Sequence, residues 1–257
     1  MRILVIPDCQ VKPGAPTEHL TWAGKAICEY KPDVVVNIGD FADMPSLSTH
    51  DKAGSKYFEG KRYKDDIKAA KEGMEKLLAP LRILQKSQKA TKHKVYKPKM
   101  VMTLGNHENR INRAVANSPI LDGVISVKDL DYDKDWEVHD FLRPVFIGGV
   151  GFSHYWPVGA MGRPAGTAAA IVSKLHMSCI AGHQQGKQVA YGTRADGTAI
   201  CAIIAGSYYL HDEDYMDALS NAHWRGLVVL NEVKDGAFDE MFLSMSYLEK
   251  KYGQTSD

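Results

Sequence analysis

The sequence lacks any long uninterrupted hydrophobic run, and this lack argues against a membrane-spanning helix. No stretch approaches the ~20 apolar residues that a bilayer requires. The first apolar run, from Ile3 to Ile6, is stopped by Pro7 and Asp8, and it is too short for the core of a secretion signal. We therefore expect a cytoplasmic protein with no membrane partner.

Cysteine is scarce and shows no pairing pattern. Cys9, Cys28, Cys179 and Cys201 form no Cys-x-x-Cys unit, and each lies in an apolar or motif-bearing stretch. This distribution favours reduced thiols over disulfides. Cys28 and Cys201 are best interpreted as small buried hydrophobic side chains.

The chain also lacks a strong net charge, because 32 Lys and Arg nearly balance 31 Asp and Glu. The balance is uneven along the chain. Residues 51–99 carry fifteen basic and six acidic residues, whereas the rest carries seventeen basic and twenty-five acidic ones. This basic helical segment could follow a nucleic-acid backbone, above all at 86–99, where Tyr96 would offer a stacking face. The alternative is the solvated face of an amphipathic helix.

Length and composition are typical of one globular domain covering residues 1–257. Residues 2–6 and 33–38 are short apolar runs that end in polar turns, and they are predicted to be buried parallel strands. A helical pattern lies between them, with Thr17 as its expected N-cap and Pro32 beyond its end. The order of these elements is that of a βαβ unit.

A second helical pattern covers residues 65–88, and Pro80 should kink or divide it. A third strand is predicted at 100–104. The second half of the chain is richer in strands, with one helix expected at 167–175. The candidate strands are 145–147, 150–153, 178–181, 188–191, 199–205, 226–230 and 241–245.

Polar residues follow five of the predicted strands. In open α/β sheets ligands gather at the carboxyl ends of the strands. Carboxylate, amide and imidazole groups in this number are enough for two divalent ions. The clusters are Asp8-x-Gln10, Gly39-Asp40-x-x-Asp43, Gly105-Asn106-His107-Glu108, His154 and Gly182-His183-x-Gln185.

In this order the clusters resemble the motifs of the calcineurin-like metallophosphoesterase superfamily. Those motifs read Asp-x-His, Gly-Asp-x-x-Asp, Gly-Asn-His-Glu or Asp, a lone His, and Gly-His-x-His. The resemblance covers the chain from Asp8 to Gln185. It implies an α/β fold in which a β-sandwich is flanked by helices, in α/β/β/α layers, and it implies a metal-dependent phosphoric ester hydrolase.

The resemblance also assigns roles to single residues. His107 would face the phosphate as a donor or general acid, oriented by Asp43, although Glu108 could share or replace Asp43 in this role. Asp40 would bridge two divalent ions. The ligands of one ion would be Asp8, Gln10, Asp40 and Gln185, and those of the other Asp40, Asn106, His154 and His183.

Two glutamines depart from the family pattern. Gln10 and Gln185 replace histidines that hold the same ion, so that site would contain oxygen ligands alone, although Gln184 competes with Gln185 for the position. Oxygen ligands favour a hard ion. We therefore expect Mn²⁺, with Mg²⁺, Ni²⁺ and Zn²⁺ as alternatives, and we expect the imidazole-bearing site to fill first.

The resulting hypothesis is a phosphodiesterase that acts on nucleotides or nucleic acid through a dinuclear metal centre and a metal-bound hydroxide. The diester preference rests on the basic segment and on the lack of an obvious arginine clamp for a dianionic monoester. We assign no phosphate contact to Arg110, Arg113 or Arg143. A phosphomonoesterase or protein phosphatase is one alternative, and a catalytically silent scaffold is another. Tyr155 and Trp156 would line the substrate pocket or pack in the core. The sequence leaves the oligomeric state open.

Overall fold

The structure is a computed structural model that describes residues 1–49, 59–213 and 221–253. The helices are α1 (Glu18–Tyr30), α2 (Tyr63–Ala90), α3 (Asn109–Asn117), α4 (Ala168–Leu175) and α5 (Met245–Tyr252). The strands are β1 (Ile3–Ile6), β2 (Val34–Asn37), β3 (Lys99–Thr103), β4 (Glu137–His139), β5 (Val145–Ile147), β6 (Val150–Ser153), β7 (Cys179–Ala181), β8 (Lys187–Thr193), β9 (Ala199–Ala205), β10 (Gly226–Lys234) and β11 (Ala237–Ser244).

The first sheet has the strand order β11-β10-β1-β2-β3-β4. Strands β1 to β4 run parallel, and β10 pairs with β1 in the antiparallel direction. All four residues of β1 are buried because both faces of the sheet are covered. Leu4 and Ile6 pack towards the helices, whereas Ile3 and Val5 pack towards the other sheet. Burial on both faces explains why the strand is a continuous apolar run.

The second sheet has the order β5-β6-β7-β9-β8. Strands β6, β7 and β9 are parallel, and the edge strands β5 and β8 are antiparallel to their neighbours. The β5–β6 hairpin turns at Gly148 and Gly149, between the strands predicted at 145–147 and 150–153, and both glycines have positive φ. Such a turn fits glycine because a side chain would be strained at these angles.

Three apolar layers hold the elements together and confirm the predicted α/β/β/α architecture. The first lies between the first sheet and helices α1 and α2, and it includes Leu20 and Leu77. The second lies between the two sheets, where Val36 and Phe152 are fully buried. The third lies between the second sheet and α4, around Ile171. The helices therefore cover the outer faces of a two-sheet sandwich.

Helix α2 continues through Pro80, so of the expected kink or division the division is wrong. A proline inside a helix costs about 3 kcal/mol. Met74, Leu77 and Leu81 lie on both sides of Pro80 and are all buried, and each contributes roughly 1.5–3 kcal/mol. Gly24 of α1 allows this packing, because a Cβ there would overlap the Leu77 carbonyl and the Pro80 ring.

The sequence patterns missed α3, β4 and α5, which are short or strongly polar elements. Thr17 occupies the N-cap position of α1, as expected, but its side chain makes no capping bond. Its hydroxyl instead accepts a hydrogen bond from Lys76 of α2, at 2.5 Å.

All four cysteines are free. Within the described ranges, no helix combines the length and apolar character needed to cross a bilayer.

The basic segment predicted at 51–99 consists mainly of α2, and residues 51–58 lie outside the described residues. Acidic side chains that follow it in the chain neutralise part of its charge. These ion pairs are Lys71–Asp131, Arg82–Asp135 and Lys99–Glu137, with N–O distances of 2.7–2.8 Å. Tyr96 does not offer the predicted stacking face, because its ring packs on the helix-side core and its hydroxyl donates to the Pro32 carbonyl.

Burial of His19 makes folding stability depend on pH. Its ring lies edge-on to Tyr208, with 5.1 Å between ring centroids, and neither ring nitrogen has a hydrogen-bond partner among the described residues. Burial, aided by His211, lowers the pKa of His19 to about 3. The unfolded chain therefore binds this proton at higher pH than the folded chain does. Stability from this group is present above pH 6.5 and is lost as the pH falls towards 3.

Replacing His19 with phenylalanine should reduce this loss by up to about 1.4 kcal/mol for each pH unit below about 6.5. Urea unfolding at several pH values between about 7 and 5 would measure the effect. The exposed His93 supplies the matched control, His93→Phe. If stability falls equally steeply in the wild-type and His19→Phe proteins, the buried neutral histidine is not its cause.

Candidate active site

The predicted ligand residues converge at one edge of the sandwich. Asp8, Asp40 and Asn106 follow the adjacent parallel strands β1, β2 and β3, whose carboxyl ends share that edge. His154 and His183 follow β6 and β7, which are adjacent parallel strands of the second sheet. The site therefore lies where the two sheets meet, and each sheet contributes part of it.

Glu108 fixes the loops after β2 and β3 to each other. Its fully buried carboxylate accepts backbone hydrogen bonds from Asp40 (3.0 Å), Ala42 (2.9 Å) and Gly105 (2.8 Å). Burial raises the pKa of Glu108, and nearby Asp40 adds to the shift. Glu108 thus serves the backbone, and the alternative in which it orients His107 is wrong.

Two glycines allow the carboxylates to approach neighbouring loops. A Cβ at Gly105 would overlap the carboxylate and backbone nitrogen of Asp40. A Cβ at Gly182 would likewise overlap the carboxylate of Asp8. The glycines of the Gly-Asn-His-Glu and Gly-His-x-Gln motifs are therefore required by close packing around the two aspartates.

Four polar groups converge in the half of the site that contains the histidines. Ligand atoms of Asp40, His154 and His183 lie within 4.8 Å of one another. The Asn106 side-chain oxygen lies 2.9 Å from His154 Nε2 and 2.8 Å from His183 Nδ1. These are the four residues that the motif order assigned to one ion.

The surroundings of His154 favour a positive charge at Nε2. Its Nδ1 lies 3.0 Å from the Ile38 carbonyl oxygen, and only a protonated Nδ1 can donate there. Its Nε2 faces the oxygens of Asn106 at 2.9 Å and Asp40 at 3.3 Å. Two acceptors around Nε2 are satisfied by a proton or by a metal ion. Burial acts to lower the pKa of His154, but Asp40 and Asp8 raise it to about 9. The residues therefore fit a divalent ion.

Asp8 and Gln185 form the other half of the site. Asp8 accepts the backbone N–H of His183 at 3.0 Å, and the Gln185 amide nitrogen lies 3.5 Å from the same carboxylate. The buried Gln185 Oε1 has no hydrogen-bond partner among the described residues. Burial raises the pKa of Asp8 to about 7, with Asp40 adding to the shift and His154 opposing it. An oxygen without a donor beside a buried carboxylate also fits a cation.

The structure distinguishes between the two candidate glutamines. The Gln184 amide donates to the Ala165 carbonyl and accepts from Gln188, so Gln184 is bound to the loop before α4. Gln185 is the one beside Asp8. Gln10 is 2% exposed, has a left-handed φ of 43°, and donates its backbone N–H to the Asp40 carbonyl at 2.9 Å.

His107 lies beside the metal-capable cluster. Its Nδ1 is 2.7 Å from an Asp43 carboxylate oxygen, as predicted, and its Nε2 is 3.7 Å from Asp40. Burial acts to raise the pKa of Asp43, but His107, Lys12 and Arg110 lower it to about 2. Asp43 is thus a permanent carboxylate that fixes the orientation of the His107 ring.

A sequence model of the calcineurin-like phosphoesterase family, Metallophos, matches residues 1–183. The chain belongs to this family. No curated protein is similar enough to count as a match. The matched region ends at His183, so the glutamine at position 185 and everything after it lie beyond the family match.

Among the solved structures that are similar to this chain, three share little sequence identity with it. A single mutant of Vps29 from Entamoeba histolytica is 14% identical, with a TM-score of 0.39, and the match covers 95% of this chain and 99% of that one. The phosphoesterase Yfce from E. coli is 11% identical (0.41; 94% and 98%), and TT1561 of Thermus thermophilus is 9% identical (0.38; 94% and 98%). At these scores none of them bears on the function of this chain.

Arg110 is a site residue of this phosphoesterase-family chain that sequence reasoning missed. Its Nη1 donates to the Asp43 carbonyl at 2.7 Å, and its Nη2 lies 3.2 Å from His107 Nε2. The spacing could have revealed it, because residues three apart at a helix start share a face. Arg110 is 8% exposed. Its guanidinium fixes Asp43, and Asp43 orients His107.

The chain beyond β9 also reaches the site. Lys12 forms ion pairs with Glu213 (3.0 Å) and Asp43 (3.5 Å). The Tyr208 backbone N–H donates to the Asp8 carbonyl at 2.7 Å. Residues beyond the family match therefore support Asp43, through Lys12, and Asp8. No motif in the sequence indicated these contacts.

Arg110→Met should destabilise the fold by about 1–3 kcal/mol, because carbonyl oxygens of Asp43 and Met44 lose a buried donor. Arg113 is on the same helix and exposed, and it makes no ion pair within the described part of the chain. Arg113→Met should change stability by less than about 0.5 kcal/mol. Urea unfolding of both variants measures the difference. Equal effects would contradict the structural role of Arg110.

Proposed function

We propose that the chain is a metal-dependent phosphodiesterase that acts on nucleotides or nucleic acid through two adjacent divalent ions. The observation that carries this proposal is the convergence of acceptor atoms on His154 Nε2, together with the Gln185 oxygen, which has no hydrogen-bond partner among the described residues. Both halves of the site present oxygen or nitrogen atoms that two divalent ions would accept as ligands.

Asp40 lies between the two halves and would contact both ions. The oxygen-ligand site, as we call it, consists of Asp8, Gln10, Asp40 and Gln185. The imidazole site consists of Asp40, Asn106, His154 and His183. Carboxylate and amide oxygens suit Mn²⁺ or Mg²⁺, whereas imidazole also suits Zn²⁺ and Ni²⁺, so Mn²⁺ is the ion that both sites accept best.

Bound divalent ions would supply the positive charge that attracts a phosphate and acidifies water. The protein supplies the proton for the leaving oxygen. Asp43 holds His107 by Nδ1, which leaves Nε2 facing Asp40 and the imidazole site. Burial acts to lower the pKa of His107, but Asp40 and Asp43 raise it above its ordinary value. Asp43 keeps its contact with His107 when Asp40 binds metal, and His107 would act as the general acid once Nε2 carries a proton in place of its contact with Arg110 Nη2.

The arrangement of Arg110 supports a diester substrate. A dianionic monoester is recognised best by a guanidinium that offers two parallel N–H groups. The Nη1 of Arg110 is occupied by Asp43 and Met44, so only Nη2 is directed at His107 and the site. This guanidinium is not free to act as a fork.

The basic segment gives less support to a nucleic-acid substrate than the centre gives to a nucleotide. The start of α2 is tied to the site loop, because Asp66 accepts the Ser46 backbone N–H at 2.9 Å. Lys86, at the far end of the helix, is about 30 Å away along the axis at roughly 1.5 Å per residue. The exposed lysines at 86–97 therefore lie near the amino end of β3, away from the site. A nucleotide fits the centre without them, whereas a nucleic acid would have to extend this far to use them.

The two sites should differ in metal affinity. After mild chelation, metal analysis should find about one Mn²⁺ per chain, held by the imidazole site, because nitrogen ligands raise affinity for transition ions. His183→Ala should lose this ion, whereas its partner variant Gln185→Ala should lose only the weakly held one. Retention of the ion in His183→Ala and its loss in Gln185→Ala would reverse the proposed order.

His107→Ala should lower turnover of bis(p-nitrophenyl) phosphate by roughly 10² to 10⁴-fold, because the leaving oxygen loses its proton donor. Metal content should be unchanged, and the exposed His93→Ala should have wild-type turnover. The monoester p-nitrophenyl phosphate, assayed in parallel, separates the alternatives. Turnover of the monoester alone would favour a phosphomonoesterase, and wild-type turnover no higher than that of His107→Ala would favour a silent scaffold.

A further inference from the structure

Two aromatic rings lie beside the imidazole site and have no assigned role in the chemistry. The Tyr155 ring centroid is 4.9 Å from that of His183 and 6.0 Å from that of His154. The Phe141 ring is edge-on to Tyr155 at 5.5 Å. Tyr155 and Phe141, which we call the aromatic wall, therefore stand directly against the two histidines of the site.

Within the aromatic wall, Phe141 packs against the helix-side layer, whereas Tyr155 differs from its neighbour Trp156 in that the core does not hold it. Trp156 is 6% exposed, packs in the layer beneath α4, and donates its ring N–H to the Ile180 carbonyl. Tyr155 belongs to none of the three apolar layers and is only half-buried. Its hydroxyl makes no hydrogen bond with any residue that the structure describes. Trp156 is thus held by the core, whereas the Tyr155 ring lies beside the histidines of the site.

The backbone of Tyr155 is fixed before any ligand arrives. The Ser153 hydroxyl, in a buried residue, donates to the Tyr155 carbonyl at 2.9 Å. With Trp156 anchored on the other side, the backbone that carries the Tyr155 ring is held in place. A rigid aromatic face binds a planar group at low entropic cost.

We propose that the aromatic wall is a subsite that stacks on the nucleobase or aryl group of the phosphoester substrate. This subsite rests on the proposed function, because a phosphate held by the neighbouring centre would have its substituent within reach of Tyr155, whose ring contacts His183. Stacking on an aromatic side chain tolerates any base and depends on the planar face alone. The subsite therefore selects substrates with an aromatic substituent over aliphatic esters.

Calorimetric titration of the Mn²⁺-loaded full chain tests this without turnover. The ligands are inorganic phosphate, ribose 5-phosphate, phenyl phosphate and adenosine monophosphate. The two aromatic ligands should bind roughly 5- to 100-fold more tightly than ribose 5-phosphate. Tyr155→Leu should abolish this advantage and leave phosphate affinity within about twofold. Tyr155→Phe should keep the advantage, as should the control Tyr191→Leu, which changes an exposed tyrosine on β8.

Three results would overturn the subsite, and they point to different causes. Equal affinity for aromatic and aliphatic ligands in the wild-type protein would show that no stacking occurs. A uniform loss for all four ligands in Tyr155→Leu would show that the ring only supports His183. Absence of binding by inorganic phosphate would show that the metal centre itself fails, and the proposed function would fall together with the subsite.

Discussion

Asp40 is the buried charge on which the rest of the site depends. Its carbonyl accepts the backbone N–H groups of Cys9 and Gln10, and its own N–H donates to Glu108. Its carboxylate accepts the His107 backbone N–H at 2.9 Å and lies 3.3 Å from His154 Nε2. Burial acts to raise the pKa of Asp40, but His107 and His154 lower it well below its usual range. A carboxylate that stays ionised while buried needs all these partners, so each loop is fixed by its contact with Asp40.

The packing of the two sheets against each other brings those partners together. Asp40 follows a strand of the first sheet, and His154 follows a strand of the second, so the centre forms only when the layer between the sheets is packed. Val36 and Phe152 lie in that layer, four residues before Asp40 and two residues before His154. Hydrophobic packing therefore sets the distance between ligand residues that are far apart in the chain.

Sequence order was sufficient to predict most of the fold and to name candidate site residues that the structure brings together. Buried parallel strands are continuous apolar runs, so β1, β2 and β3 and the polar residues after them could be located from the pattern of residue types. The helix predicted at 65–88 extends from Tyr63 to Ala90, and residue spacing could not show that Pro80 leaves it undivided, because the burial of Met74 and Leu81 around the proline is a tertiary effect. Short polar elements such as β4 had no periodicity to reveal them.

The sequence by itself determined which residue types end each strand, and with them the family and the candidate ligands. Only the tertiary structure decided which of the neighbouring candidates serve the site. Gln185 lies beside Asp8 while Gln184 is bound to Ala165, Glu108 holds backbone while Asp43 orients His107, and Arg110 reaches that pair. These choices depend on where a side chain points after the loops have packed, and the direction of a side chain in a loop is set by contacts distant in sequence, which residue spacing does not encode.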